Sequence, residues 1–124
     1  MIDAKELRIG NQIQRRTGQH LIVDINILRS VRRQPVFFMP VLLTEEKLIE
    51  FGFEKKEYSV SSDWHIGTNP VTHDWMLTIT KLEGIDYFFF QNGGHQIRYV
   101  HQLQNLYFLL TGEELIVKQE IEKL

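Results

Sequence analysis

The chain has 124 residues, a mass of 14.7 kDa and no cysteine. This is one domain's worth of length, and disulfides, thiolate metal sites and cysteine nucleophiles are excluded. Hydrophobic residues make up 43% and charged residues 24%, so wholesale disorder is excluded, and no run approaches the roughly 20 apolar residues of a membrane-spanning helix. The net charge of −2 hides an asymmetry: residues 1–40 hold seven Lys/Arg against three Asp/Glu, a net of +4, and residues 41–124 hold seven against thirteen, a net of −6.

In chain order, Asp3-Ala4-Lys5-Glu6 has the form of a capping box before a short helical turn that Gly10-Asn11 stops. Neither the positive stretch nor the apolar core of a signal peptide is present, so a cytoplasmic location is expected. Ile13 to Arg15 reads as extended, Thr17-Gly18 as a turn, and residues 19–27 as a return strand rich in β-branched side chains. Val36 to Met39, between Pro35 and Pro40, reads as a further extended segment. Residues 1–40 are therefore expected to form a small β-unit.

The strongest local signal follows. Thr44 suits an N-cap, Glu45 and Glu46 suit a first helical turn, and Leu43 and Leu48 stand at hydrophobic-staple positions. Gly52 can take the left-handed conformation after the helix, with Phe53 folding back on Leu48. Tyr58 to Ser61 reads as a strand, and residues 62–74 as an exposed loop rich in Ser, Asp, Gly, Asn, Pro and Thr. Trp75 to Lys81 alternates as a strand, Glu83-Gly84 turns, and Asp86 to Gln91 is a strand with aromatics on both faces. Asn92-Gly93-Gly94 is a hairpin turn before a strand over Gln96 to Tyr99. From Val100 the period becomes helical, with Val100, Leu103, Leu106, Tyr107 and Leu110 on one stripe and Thr111-Gly112 at the end. The tail from Glu113 fits a strand around Leu115 to Val117, or a second helical segment.

The expected fold is α+β: the N-terminal β-unit over 1–40, then a 41–124 unit with a short helix, a mainly antiparallel sheet and a C-terminal helix packed on it, the two forming one compact domain. The expected core includes Leu48, Phe51, Phe53, Phe88, Phe90, Leu103, Leu106 and Leu110.

Three segments carry a resemblance: Glu6-Leu7-Arg8-Ile9-Gly10-Asn11, Leu43-Thr44-Glu45-Glu46 through Phe51-Gly52-Phe53, and Val100-His101-Gln102-Leu103-Gln104-Asn105-Leu106-Tyr107-Phe108 through Thr111-Gly112-Glu113-Glu114-Leu115. In these the chain resembles a family of small bacterial proteins, associated with prophages or other mobile elements, to which no biochemical function is assigned. The resemblance implies an accessory role and supplies no catalytic residue.

No pattern demands an enzyme. Of His20, His65, His73, His95 and His101, none are paired at helical spacing, and no His-Glu-x-x-His exists. His65 and His73, with Asp63 and Asp74, could form a divalent or acid–base site in the 62–74 loop, although loop-surface side chains are the simpler reading. His101, at a helix start, suits a neutral hydrogen-bonding role. Asn92-Gly93-Gly94 lacks the rest of a dinucleotide fingerprint, and neither a phosphate-binding Gly-Lys-Ser/Thr nor a Gly-x-Ser-x-Gly elbow occurs. No catalytic residue, cofactor or metal is therefore assigned.

Two binding surfaces remain. Arg15, Arg16, Arg29, Arg32 and Arg33, with Phe37 and Phe38 for stacking, form a candidate nucleic-acid contact. Solvated arginines beside core phenylalanines are the preferred reading. Trp64, Phe108 and Leu109 form a candidate protein interface, because Phe108 and Leu109 lie off the main stripe of their helix and invite cover by another layer or a second copy. The expected function is a non-enzymatic binding or regulatory accessory protein of bacterial or phage origin, without a membrane partner. Nucleic-acid binding through the arginine-rich third is the alternative, and an enzyme or metal site at the 62–74 loop the second alternative.

Overall fold

The computed structural model describes residues 2–68, 75–90 and 95–117. Asp3 caps the first turn: its carboxylate accepts a hydrogen bond from the Lys5 N–H at 2.9 Å, and Ala4–Glu6 form one 3-10 turn. The strands β1 (Gln12–Arg15), β2 (His20–Ile22) and β3 (Phe38–Pro40) make an antiparallel sheet in the order β2-β1-β3.

Between β2 and β3 lies a helix, α1 (Ile25–Arg33), in place of the expected continuation of the return strand to residue 27. Asp24 supplies the reason. Its carboxylate accepts from the Ile27 N–H at 2.8 Å, satisfying one of the free donors of the first turn. Ile27, Leu28 and Val31 then turn toward Ile13, Val23 and Phe38. A second 3-10 turn, Pro35–Phe37, divides the apolar run, so Phe38 is core while Val36, Phe37 and Met39 stay exposed.

The helix α2 (Glu45–Phe51) forms as its local chemistry dictates. The Thr44 hydroxyl accepts from the Lys47 N–H at 3.2 Å, and Glu45 and Glu46 fill the first turn. Gly52 has φ of 94°, which lets its N–H reach the Ile49 carbonyl and the Phe53 N–H reach the Leu48 carbonyl, both at 3.0 Å. This is a Schellman ending, and Leu43, Leu48 and Phe53 share one buried cluster.

Five strands follow in sequential antiparallel order: β4 (Glu54–Glu57), β5 (Ser61–Thr68), β6 (Trp75–Leu82), β7 (Phe88–Phe90) and β8 (His95–Ile97). Two expectations are corrected here. Tyr58 to Ser61 is not a strand of its own but a tight connection, closed by the Tyr58 N–H on the Ser61 carbonyl at 2.8 Å. Residues 62–68 are not a loop but most of β5, paired with β6 along the strand and with β4 over residues 62–65; the rest of that expected loop, residues 69–74, lies outside the described residues, as does the Asn92–Gly94 turn. Along β5, Trp64 and Ile66 join the core, while Asp63 and His65 meet Thr80 and Thr78 of β6 through side-chain contacts of 2.8 Å. Gly67 belongs to this strand and not to a turn. Its φ is 67°, and a Cβ there would stand 3.1 Å from the Met76 side chain.

The C-terminal helix α3 (Val100–Thr111) packs on this sheet and ends at Gly112. No described helix is long and apolar enough to cross a membrane. The architecture is α+β, with apolar clusters on either side of residue 40. One gathers Ile2, Leu7, Ile13, Val23, Val31 and Phe38; the other includes Leu48, Trp64, Ile79, Phe88 and Leu103. The expected stripe of α3 is corrected in part. Val100 and Leu103 are buried, Leu106 and Tyr107 are half-buried, and Leu110 is exposed, because the helix is clamped on two sides at its N-terminal end and projects at its C-terminal end. Phe90 is likewise half-buried. Residues 113–117 are neither strand nor helix, with Leu115 anchored in the core, and residues 118–124 lie outside the described residues.

Candidate functional site

The second buried side of α3 faces the N-terminal unit, and it is polar. Gln104 is fully enclosed and bonds in four directions. Its Oε1 accepts from the Gln12 N–H at 2.8 Å and from Asn11 Nδ2 at 3.4 Å; its Nε2 donates to the carbonyls of Gly10 at 3.3 Å and Leu115 at 3.4 Å. Asn105 donates to the Glu6 carbonyl at 2.8 Å and accepts from Asn11 Nδ2 and Arg8 Nε at 2.9 and 3.0 Å. Arg8 also pairs with Glu114 at 2.6 Å and lays its guanidinium 4.1 Å from the centre of the Phe108 ring. The segment Glu6 to Asn11 is thus riveted to the segment His101 to Glu114, two of the three segments that carry the resemblance.

At one end of this seam, His101 is buried with its Nε2 3.4 Å from the Glu6 carboxylate and its ring nearly parallel to Tyr99, centres 5.9 Å apart. Its Nδ1 is buried with no hydrogen-bond partner among the described residues. Burial pushes the imidazole below its ordinary pKa, and the hydrogen bond and charge of Glu6 pull back less strongly. A neutral imidazole at the start of α3 follows, since a cation there would also oppose the helix dipole. Glu6 does not reach back to its own cap, as a capping box would have it; its carboxylate turns to His101 instead. The pair separates two clefts. One, about 360 Å³, opens toward Gln14, Met39, Leu42 and Tyr99; the other, about 410 Å³, opens toward Gln96, Gln102 and Leu106.

The arginines fall on a different surface. Arg29, Arg32 and Arg33 share the solvent side of α1 at i, i+3 and i+4. Arg15 ends β1, with its guanidinium 5.7 Å from the Phe38 ring centre, and the Arg16 N–H donates to the Phe37 carbonyl at 2.8 Å. That bond sets the β1–β2 hairpin beside the segment that leaves α1. None of the five arginines forms an ion pair with a described carboxylate. Of the two expected stacking residues, Phe38 is core and Phe37 is 51% exposed.

Trp64 is corrected outright as an interface residue. It is 1% exposed, and its indole N–H is satisfied by the Ser62 hydroxyl at 3.2 Å. Phe108 and Leu109 do lie on the surface, Leu109 at 80% exposure. The expected metal or acid–base set is not assembled as a loop. Asp63 and His65 sit in β5 with threonine partners, His73 and Asp74 lie outside the described residues, and among the described residues no three metal-ligating side chains come together. The Glu6–His101 pair escaped sequence reasoning because its members stand 95 residues apart. The juxtaposed motif segments were the only signal for it. No protein-family model matches the chain, and no curated protein or solved structure matches it.

Proposed function

We propose that the protein is a non-enzymatic binding protein, an accessory of the kind carried by bacterial prophages and mobile elements, and that it binds nucleic acid through the arginine side of its N-terminal unit. The observation that carries this reading is α1. A capped helix holds Arg29, Arg32 and Arg33 on one solvent-facing side, none ion-paired with a described carboxylate, with Phe37 exposed nearby. A rigid helix displays three charges toward one backbone at less entropic cost than a loop does. Arg15 and Arg16 extend the positive surface across the hairpin. Titration of duplex and single-stranded DNA and RNA across 50–200 mM salt tests it. Wild-type binding weakens steeply with salt, and the triple change Arg29→Ala, Arg32→Ala, Arg33→Ala flattens the log–log slope by about 2–3. Salt-insensitive binding, or no binding to any of these at low salt, removes the reading.

A second reading rests on the projecting end of α3. Leu109 beside Phe108 and Leu110 gives this end three exposed apolar side chains in a row, a surface that self-association would cover. Sedimentation equilibrium on the wild type and Leu109→Glu separates the cases. Association that Leu109→Glu lowers supports the reading, and a monomer at every accessible concentration ends it.

A further inference from the structure

The cleft on the Met39 side of the Glu6–His101 pair has a composition of its own. Its walls are more apolar than polar: Ile2, Met39, Pro40, Leu42 and Tyr99 line it beside Gln14, and Met39 and Leu42 remain 42% and 58% exposed at its rim. Glu6 is the charged side chain that lines it, and no described lysine or arginine does so. Nor does any described lysine or arginine pair with the Glu6 carboxylate, whose side chain is 57% exposed; its neighbour is His101, which burial keeps neutral. The N-terminus of α3 places about half a positive charge beside this carboxylate, so the described lining of the cleft is net negative. An unneutralised carboxylate beside aromatic and apolar walls selects a particular class of ligand. A cation gains from the carboxylate and from the face of the tyrosine ring, and an apolar body gains by covering exposed Met39 and Leu42. An anion is repelled, and a fully polar cation leaves the walls wet. The volume of about 360 Å³ suits a small molecule, at the lower end of typical ligand sites.

We propose that this cleft binds a small organic cation, an ammonium or guanidinium group on an apolar body, with the cation against Glu6 and the body against Met39, Leu42 and Tyr99. The site is distinct from the arginine side of α1 and of opposite charge, so it survives or fails independently of nucleic-acid binding.

Phenethylammonium and benzylguanidinium are the probes, titrated into the full chain carrying ¹³C-labelled methionine methyl groups. Met39 lies in the cleft and Met76, in β6, serves as the internal reference. At least one probe should shift the Met39 signal saturably and leave Met76 in place. Glu6→Gln should weaken that binding about fivefold, the size of one partly exposed charge pair, and 2-phenylethanol, which lacks the charge, should bind the wild type no better than the cation binds Glu6→Gln. Leu42→Ser, a change at an exposed rim position, provides a second variant that keeps the fold and should also weaken binding. No saturable Met39 shift with either cation, equal affinity for the neutral alcohol, or affinity unchanged in both variants would overturn the proposal.

Discussion

Helix α3 has two buried sides that are built from opposite chemistry. Toward the five-stranded sheet it offers Val100 and Leu103, which meet Trp64, Ile79, Phe88 and Ile97. Toward the N-terminal unit it offers His101, Gln104 and Asn105, which meet backbone and side-chain groups of Glu6, Arg8, Gly10, Asn11 and Gln12. The first side is held by burial, which is non-directional and accepts any well-shaped apolar neighbour. The second is held by hydrogen bonds, each of which requires a particular partner at a particular place. Burial makes α3 stable against the sheet, and the polar side fixes which unit docks there and in what register. A chain with few residues to spare thus uses one helix as both core and connector.

The largest expected effect breaks the apolar side. Leu103→Ala should cost about 2–5 kcal/mol in a urea melt, as a fully buried leucine usually does, whereas Leu110→Ala, two turns on and exposed, should cost less than about 0.5 kcal/mol. Equal losses would mean that the helix is rotated from the orientation described. The polar side is smaller in energy and sharper in consequence. Gln104→Leu keeps the volume roughly but strands the Gln12 N–H and the carbonyls of Gly10 and Leu115. The bond to Leu115 is buried and the other two are part-buried, so water can recover part of the loss and the change should cost about 1–3 kcal/mol. Hydrogen exchange should show faster opening around residues 10–12 and 115, with β6 little affected. Uniform loosening of both regions would erase the distinction between the two sides.

The two sides also differ in how far they could be read beforehand. α2 was legible because everything that makes it is local: Thr44, Glu45, Glu46 and Gly52 lie within nine residues, and each acts on its own backbone. α1 was not, because Ile25, Ile27 and Val31 are β-branched and argue for a strand, and the single Asp24 cap that outweighs them is a weak signal without its hydrogen bond to Ile27. β5 was misread through its polar side. Ser62, Asp63 and Gly67 look like loop chemistry, although Trp64 and Ile66 alternate with Asp63 and His65 at the period of two that a half-buried strand requires. Periodicity alone points Leu110 inward, because it supplies the angle of a stripe and not the point along the helix where its cover ends. The polar seam was beyond reach. Gln104 and Asn105 on one helix turn signal nothing until Gly10, Asn11 and Gln12, more than 90 residues earlier, are placed against them.

The smallest expected effect is set by pH, and it isolates the seam from the sheet. In the unfolded chain the His101 imidazole titrates near its ordinary value of about 6.5; in the folded chain burial holds it lower. Below about pH 6.5 the unfolded state therefore binds a proton that the native seam resists. By linkage, stability falls as pH drops through this window and stops falling, for this group, once the pH passes below the native value. Glu6 limits the loss, because its carboxylate is the partner that a protonated His101 would meet at 3.4 Å. Other groups titrate in the same range, so the contribution must be read as a difference. Urea midpoints of the wild type and of His101→Gln, followed from pH 7.5 to 5, should converge as the pH falls, since only the wild type loses the advantage of a neutral buried imidazole. Curves that stay parallel would place His101 in an environment that tolerates either charge state, and the seam would then owe its specificity to Gln104 and Asn105 alone.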